Sequence, residues 1–452
     1  MTLSIYIQVP FCQTKCTYCN FHTGVVSPDR YEPYANAIRR EVETSGHGFS
    51  RAVNAGHGTG VLTPEGCDAT VGSSSVAAAF RTAELAGRGF NPAESRTSRE
   101  GVLAPEAHSL RPTVDTVYFG GGTPSLLDPA ALQGILDTLH HSFAFDAVPE
   151  ITLEADPETI TAAKATAWLA AGFNRISLGA QAFNDRELQS AGRMHRRADI
   201  FEAARVLRTA GFRNISMDLI AGLAHQTHAT WEESLTALLG IRPEHISIYM
   251  LEIDEGSHLG KESLAGGTRY SAPAIPPDDA IAEFYDSACA RLAAEGYDHY
   301  EISNWACSAA KDLPSLRSRH NLKYWRREPY LGLGAGAHSF DGTQRWANVH
   351  DSAKYVACIE QGITPREQIE TVTPAQALEE EFFLGLRQLE GIDLARIERL
   401  YSASAVNLRD RVSDLCAQGL LEREGSRLRL APNRLTVSNE IFVELLREQV
   451  DS

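Results

Sequence analysis

The chain has 452 residues, 43% of them hydrophobic, and a formal net charge of −16. That length predicts two or three domains around a large shared core, and the acidic balance excludes a general binder of phosphate backbones or anionic membranes, so no nucleic-acid partner is expected. No basic segment precedes "LSIYIQV" and no stretch reaches 18 apolar residues; a cytoplasmic protein without stable membrane insertion is the expectation.

In chain order, residues 3–9 predict a strand, and three of the eight cysteines follow it at once: Cys12, Cys16 and Cys19, spaced C-x3-C-x2-C. Clustered thiols in a large reduced-compartment chain read as metal ligands or catalytic groups rather than disulfides. The other five (Cys67, Cys289, Cys307, Cys358, Cys416) are scattered singly and read as buried free thiols. Residues 45–112, rich in Gly, Ala, Ser and Thr without a sustained period, are expected to be a flexible surface insertion, with His47, His57, Cys67 and His108 as bystanders.

Further strands are predicted at 114–119, 150–155, 175–179, 214–220 and 245–251 as continuous apolar runs, with helices over 128–143, 159–173, 197–212 and 229–241 between them. Two of these helices close on Gly172 and Gly211. Apolar strands joined by helical crossovers make a parallel sheet covered by helices, and six units suggest a partial (β/α)6 barrel of the α/β class. Chemistry in such folds sits at the carboxyl ends of strands. The conspicuous polar groups do follow the strands: the cysteines, then "GGGTP" (120–124), Glu154, Gln181 and Asp218. Beyond residue 260 the alternation fades into a helix at 278–296, a strand at "HYEISNWA" (299–306), and an aromatic, glycine-rich stretch from 320 to 340. From 375 three helices precede a hairpin around Glu424-Gly425-Ser426, predicting a small α+β, winged-helix-like C-terminal domain over 371–452.

Two metals suit the thiols. Zinc wants four closed ligands, and His22 would complete Cys12, Cys16 and Cys19. An iron–sulfur cube held by three thiolates leaves one iron open, which is a catalytic feature. C-x3-C-x2-C behind an N-terminal strand, with the aromatic Tyr18 before the third cysteine, resembles the radical S-adenosylmethionine (SAM) superfamily over residues 1 to about 260. The resemblance implies a 4Fe-4S cluster on Cys12, Cys16 and Cys19, with the amino and carboxylate groups of SAM on the open iron. It also implies an electron donor such as flavodoxin or ferredoxin.

Within the superfamily, the coproporphyrinogen-oxidase-like branch matches further positions. The match implies SAM contacts from Tyr6, from Tyr18 near the adenine, and from the Gly121, Gly122 and Thr123 turn. It adds Glu154 and Asp218 as acceptors for the ammonium and ribose hydroxyls, Arg193 for the carboxylate, and Gln181 for either. Gln8 stands where many relatives have His. Two subgroups compete: the oxygen-independent coproporphyrinogen III dehydrogenases and the HemW-type heme chaperones. Phe21 occupies the position of a further dehydrogenase cysteine, only eleven residues precede Cys12, and "HNLKYW" (320–325) is similar to the chaperones' heme-binding motif. The expectation is therefore heme bound through His320, Asn321, Tyr324 and Trp325 and passed to an acceptor protein, with no catalytic residue assigned. Independently of the likeness, a helix puts His320 and Tyr324 on one face, where an imidazole suits heme iron and aromatics suit the macrocycle. "LGLGAGAHSF" (331–340) resembles an element at the family's active-site mouth, with His338 as a secondary contact; its spacing is not G-x-G-x-x-G. The barrel is expected over 1–44 and 113–260, and the flanking region with the heme motif over 261–370.

Overall fold

The computed structural model describes residues 2–55, 113–307, 315–401 and 406–446. Most of the expected 45–112 insertion lies outside them, as do the side chains of His47, His57, Cys67 and His108; the first helix, α1 (Tyr31–Ala55), continues ten residues past position 45.

Six strands fall where the sequence puts them: β1 (Thr2–Val9), β2 (Thr113–Gly121), β3 (Ala144–Ala155), β4 (Arg175–Gln181), β5 (Ile215–Ala221) and β6 (His245–Met250). They pair in parallel in that order. Between them run α2 (Pro129–Ser142), α3 (Ala162–Ala171), α4 (Asp185–Ser190), α5 (Arg197–Ala210) and α6 (His228–Ile241). Local chemistry fixes the helix ends. Asp128 accepts from Ala130 N at 2.8 Å ahead of Pro129, and Thr161 accepts from Lys164 N at 3.2 Å, so each caps free amide groups. Gly172 and Gly211 close α3 and α5 as expected.

The segments from 251 to 307 add α7 (His258–Ala265), α8 (Asp278–Ala294), β7 (Tyr297–Glu301) and β8 (Asn304–Cys307); a two-residue turn splits the single strand predicted at 299–306. After them come α9 (Arg319–Trp325), β9 (Tyr330–Leu333), β10 (His338–Phe340), β11 (Gln344–Asn348), α10 (Ser352–Glu360) and β12 (Arg366–Thr371). β9 is a seventh parallel strand, on the outer side of β1. The full sheet runs β12-β11-β10-β9-β1-β2-β3-β4-β5-β6-β8-β7, antiparallel at both flanks, and does not close into a barrel.

The parallel strands are not apolar throughout, as the sequence reading had them; they alternate. Ile5, Ile7, Val117, Phe119, Ile151, Leu153, Ile176, Leu178, Met217 and Ile248 share one core with Ile38 of α1, Leu136 of α2, Trp168 of α3, Leu207 of α5 and Leu235 of α6. Burial of that face against the helices is the main stabilising contribution, about 25 cal/mol per Å2 of apolar surface. The register then carries a polar face from strand to strand: Tyr6 opposite Tyr118, Tyr118 opposite Thr152, Glu154 opposite Ser177, Ser177 opposite Ser216, and Asp218 opposite Ser247. A one-residue slip would exchange the two faces, so packing of the core fixes where the site lies.

The C-terminal segment comprises α11 (Pro374–Gly385), α12 (Leu394–Tyr401), α13 (Val406–Ala417) and α14 (Ser438–Leu446) with a three-stranded sheet of β13 (Ile392–Asp393), β15 (Arg427–Leu430) and β14 (Leu421–Glu424). Glu380 of α11 anchors it, bonding Arg327 at 2.6 Å and Arg345 at 2.8 Å. No helix among the described residues is long and apolar enough to cross a membrane.

Candidate functional site

The loop after β1 carries the three thiols and is stapled at both ends. Cys12 N–H donates to Gly24 O and Gly24 N–H to Pro10 O, closing it at its base, while Thr17 N–H donates to Ala191 O and Leu259 N–H to Thr17 O. On the β2 side, Gly122 N–H donates to Val9 O at 2.8 Å and Thr123 N–H to Phe11 O at 2.7 Å. Gly122 is required there, because a Cβ would run into the Phe11 carbonyl and lie 2.9 Å from Phe11 N. Gly121, at φ 111°, turns its own N–H onto Glu154 Oε2 at 3.1 Å.

All three thiols are free and partly exposed. Burial pushes the Cys12 thiol up to about 11 and raises that of Cys19. Protonated thiols of this kind are poor nucleophiles and act once a metal displaces their protons. Arg193 supplies the local positive charge: Nη1 lies 3.4 Å from Cys16 Sγ, and Nη2 is bonded to Asp156 and, at 3.1 Å, to Gly179 O. Asp156 also accepts from Thr123 Oγ1 at 2.9 Å, and so ties the second, third and fourth strand ends together. The sequence reading passed over Asp156, although "EADP" places it two residues beyond Glu154 at a strand end.

On the polar face, Glu154 accepts from Tyr118 Oη at 2.8 Å. Burial raises Glu154 to about 7, with the nearby Asp218 carboxylate adding to the rise, and burial raises Asp218 to about 6. Asp218 Oδ1 is buried with no hydrogen-bond partner among the described residues. An orphaned carboxylate oxygen beside a second raised carboxylate fits a cationic ligand bearing hydroxyls, which is the chemistry of SAM. Gln181 ends β4 in the left-handed region, φ 66°, with its amide near Gly179 and Arg193. Tyr18 is half-buried and packs against the core, and burial raises its hydroxyl above the ordinary value.

The zinc set does not assemble. Thr23 N–H donates to Phe21 O at 2.7 Å, a tight turn, and the His22 ring lies 4.3 Å from that of His350 instead of joining the thiols. Among the described residues no group of three or more His, Cys, Asp or Glu side chains closes on a single metal position.

His320 belongs to the same polar face, nearer the amino ends of the strands. Its ring stacks on Tyr118 at 5.1 Å and lies 6.2 Å from Tyr6. Nδ1 pairs with Thr116 Oγ1 at 2.9 Å and Nε2 with Tyr324 Oη at 3.0 Å. Glu150 receives the first amides of α9, from Arg319 and His320, at 3.2 and 3.1 Å. Trp325 lies under the Arg387 guanidinium at 4.5 Å, and Asn321 N–H donates to the capping Ser318. The structure thus groups Tyr6 with the 320–325 helix, while the Tyr6 hydroxyl also lies toward Gly120 and Glu154.

A model of the radical SAM superfamily matches residues 77–238, beginning downstream of the three cysteines, and one of the HemN C-terminal domain matches 372–433. The chain is 29% identical over 447 residues to heme chaperone HemW of Bacillus subtilis, covering 98% of this chain and 99% of that protein. It is 31% identical over 439 residues to HemW of Synechocystis, covering 96% and 90%, and 30% identical over 448 residues to HemW of Mycobacterium tuberculosis, covering 98% and 94%. The fold is similar to that of coproporphyrinogen III oxidase (HemN) from Escherichia coli, described as a radical SAM enzyme, with a TM-score of 0.72 at 19% identity over 98% of this chain and 90% of that one.

Proposed function

The chain belongs to the HemW family of the radical SAM superfamily, and from that premise we propose that it is a heme chaperone, binding heme as cargo and passing it to an acceptor protein. The observation that carries this reading is likeness to heme chaperones along nearly the whole chain. Exposed Phe21, where the branch's dehydrogenases have a further cysteine, supports it.

Membership implies a 4Fe-4S cluster and SAM, which together supply one-electron chemistry at a sulfonium. In the proposed arrangement Cys12, Cys16 and Cys19 hold the cluster, and Arg193 offsets negative charge at Cys16. Glu154 and Asp218, once ionised, take the ammonium and ribose hydroxyls, and Gln181 adds an amide. Backbone groups of Gly121, Gly122 and Thr123 approach the amino-acid end, and Tyr18 lies toward the adenine. Tyr6 supports Glu154 through Tyr118. His320 can ligate heme iron only if it gives up a bond, since both its nitrogens are engaged. A flavodoxin- or ferredoxin-class donor would reduce the cluster, and the acceptor is a heme-requiring protein.

Anaerobically reconstituted protein titrated with hemin, then mixed with an apo-heme protein, tests the proposal. A Soret band that migrates to the acceptor is expected. Conversion of coproporphyrinogen III under reducing conditions with SAM, without heme transfer, would replace it with the dehydrogenase reading.

A further inference from the structure

One cavity beside the cysteine loop shares Cys19 with the cluster set and otherwise collects ligand chemistry that the SAM-type site does not use. Its volume is about 470 Å3, within the range of small-molecule and cofactor sites. Cys19, Phe21, His22, Lys15, Asp254 and His350 line it. The two imidazoles are in contact, 4.3 Å between centroids and tilted by 36°. His350 Nδ1 is buried without a hydrogen-bond partner among the described residues, which in a folded protein calls for an explanation. His22 is exposed, so its ring can meet an incoming metal. Phe21 is 65% exposed, an apolar ring held out of the core. Each acidic group here accepts a backbone N–H on one oxygen, Asp254 from Gly256 and Asp351 from Lys354 as the cap of α10. Lys15 is left as the cation of the cavity, matched to a carboxylate. His320, in contrast, is 1% exposed with both nitrogens bonded.

We propose that heme is taken up in this cavity, with His22 as axial ligand to the iron. His350 is the positioning residue packed against it, Phe21 covers the macrocycle, and Lys15 meets a propionate. This assignment rests on the heme-chaperone reading. It puts cargo and cluster on one loop, three residues apart at Cys19 and His22, so that occupancy of one is felt by the other.

Hemin titration of anaerobically reconstituted wild type, His22→Ala, His22→Tyr, His350→Ala and His320→Ala tests it, with cluster absorbance followed in each sample. Loss of the axial ligand in His22→Ala is expected to raise the apparent Kd by about tenfold or more. His22→Tyr is expected to change the ligand signature to a high-spin phenolate type, a change that a merely structural role would not produce. His350→Ala, on a segment separate from the thiols, is expected to weaken binding while the cluster is retained, and folded His320→Ala to keep the wild-type Soret band. Unchanged binding and spectrum in the His22 and His350 variants would overturn the site while leaving the chaperone reading intact. Failure of wild type to bind hemin at all would overturn that reading and the site with it.

Discussion

Arg193 holds its guanidinium against the Cys16 thiol, Nη1 to Sγ 3.4 Å, while Asp156 and the Gly179 carbonyl fix the other nitrogen. A fixed cation beside a ligating thiolate favours the more negative, reduced state of a cluster. Arg193→Gln is therefore expected to lower the cluster potential by tens of millivolts, where about 59 mV is a tenfold change for one electron, and Arg193→Lys to recover part of it. Spectroelectrochemistry reads this directly; equal potentials in all three proteins would show that Arg193 does not act on the cluster. The glutamine variant also leaves Asp156 half-buried without its partner, which costs about 3 kcal/mol or less and is relieved by adding Asp156→Asn.

Glu154 and Asp218, raised to about 7 and about 6, predict an unusual pH dependence. Their folded-state values lie above the usual carboxylate range, so the native state binds the extra protons and their contribution to stability is greatest below about pH 4. It is lost as pH rises through the window from about 4 to 7. Thermal melts of ligand-free Glu154→Gln should show a flatter profile across that window. SAM affinity should run the other way, increasing up to roughly tenfold per pH unit between about 5 and 7 as the carboxylates ionise. A pH-independent affinity would remove these two groups from the ligand's ammonium.

Gly122 sits where a methyl group would strike the Phe11 carbonyl. Gly122→Ala should push the β1 loop away from β2, breaking the bonds that Gly122 and Thr123 make to Val9 and Phe11. The expected cost is about 2 kcal/mol in melting experiments, with iron content falling well below that of wild type after reconstitution. Full iron loading would show that the loop tolerates the shift.

His320 is neutral by design of its surroundings: burial lowers it to about 3. A histidine depressed in the folded state contributes stability that is present above its ordinary value near 6.5 and is lost as pH falls from there toward 3. His320→Ala leaves the Thr116 and Tyr324 hydroxyls without their partner and opens a cavity beneath Tyr118, costing about 3 kcal/mol. Its melting temperature should drop at neutral pH, and the acid slope should weaken. A variant as stable as wild type would mean that the ring is not part of the packing.

Much of the sheet was legible because buried parallel strands of β-branched residues and their capped helices signal themselves locally. β9 was not: "YLGL" is short and glycine-bearing, and only its pairing with Ser4–Ile7 makes it a strand. The alternation of faces was also missed, because Tyr118, Thr152 and Ser177 read as ordinary strand residues until register aligns them. The thiol loop, Glu154 and Asp218 stood out by position after strands. Asp156 did not, since its importance lies in whom it joins, Thr123 and Arg193, and they are far apart in sequence. The packing of His22 against His350 is likewise invisible before the loop is folded against the turn after β11.

EPR of reduced, anaerobically reconstituted protein, recorded before and after SAM is added, tests most directly whether Cys12, Cys16 and Cys19 hold a cluster with one iron open. A [4Fe-4S]+ signal that changes on adding SAM, and broadens when the SAM amino or carboxylate group carries a magnetic label, is the predicted result. A colourless protein holding one zinc, or a cubane signal indifferent to SAM, would contradict it.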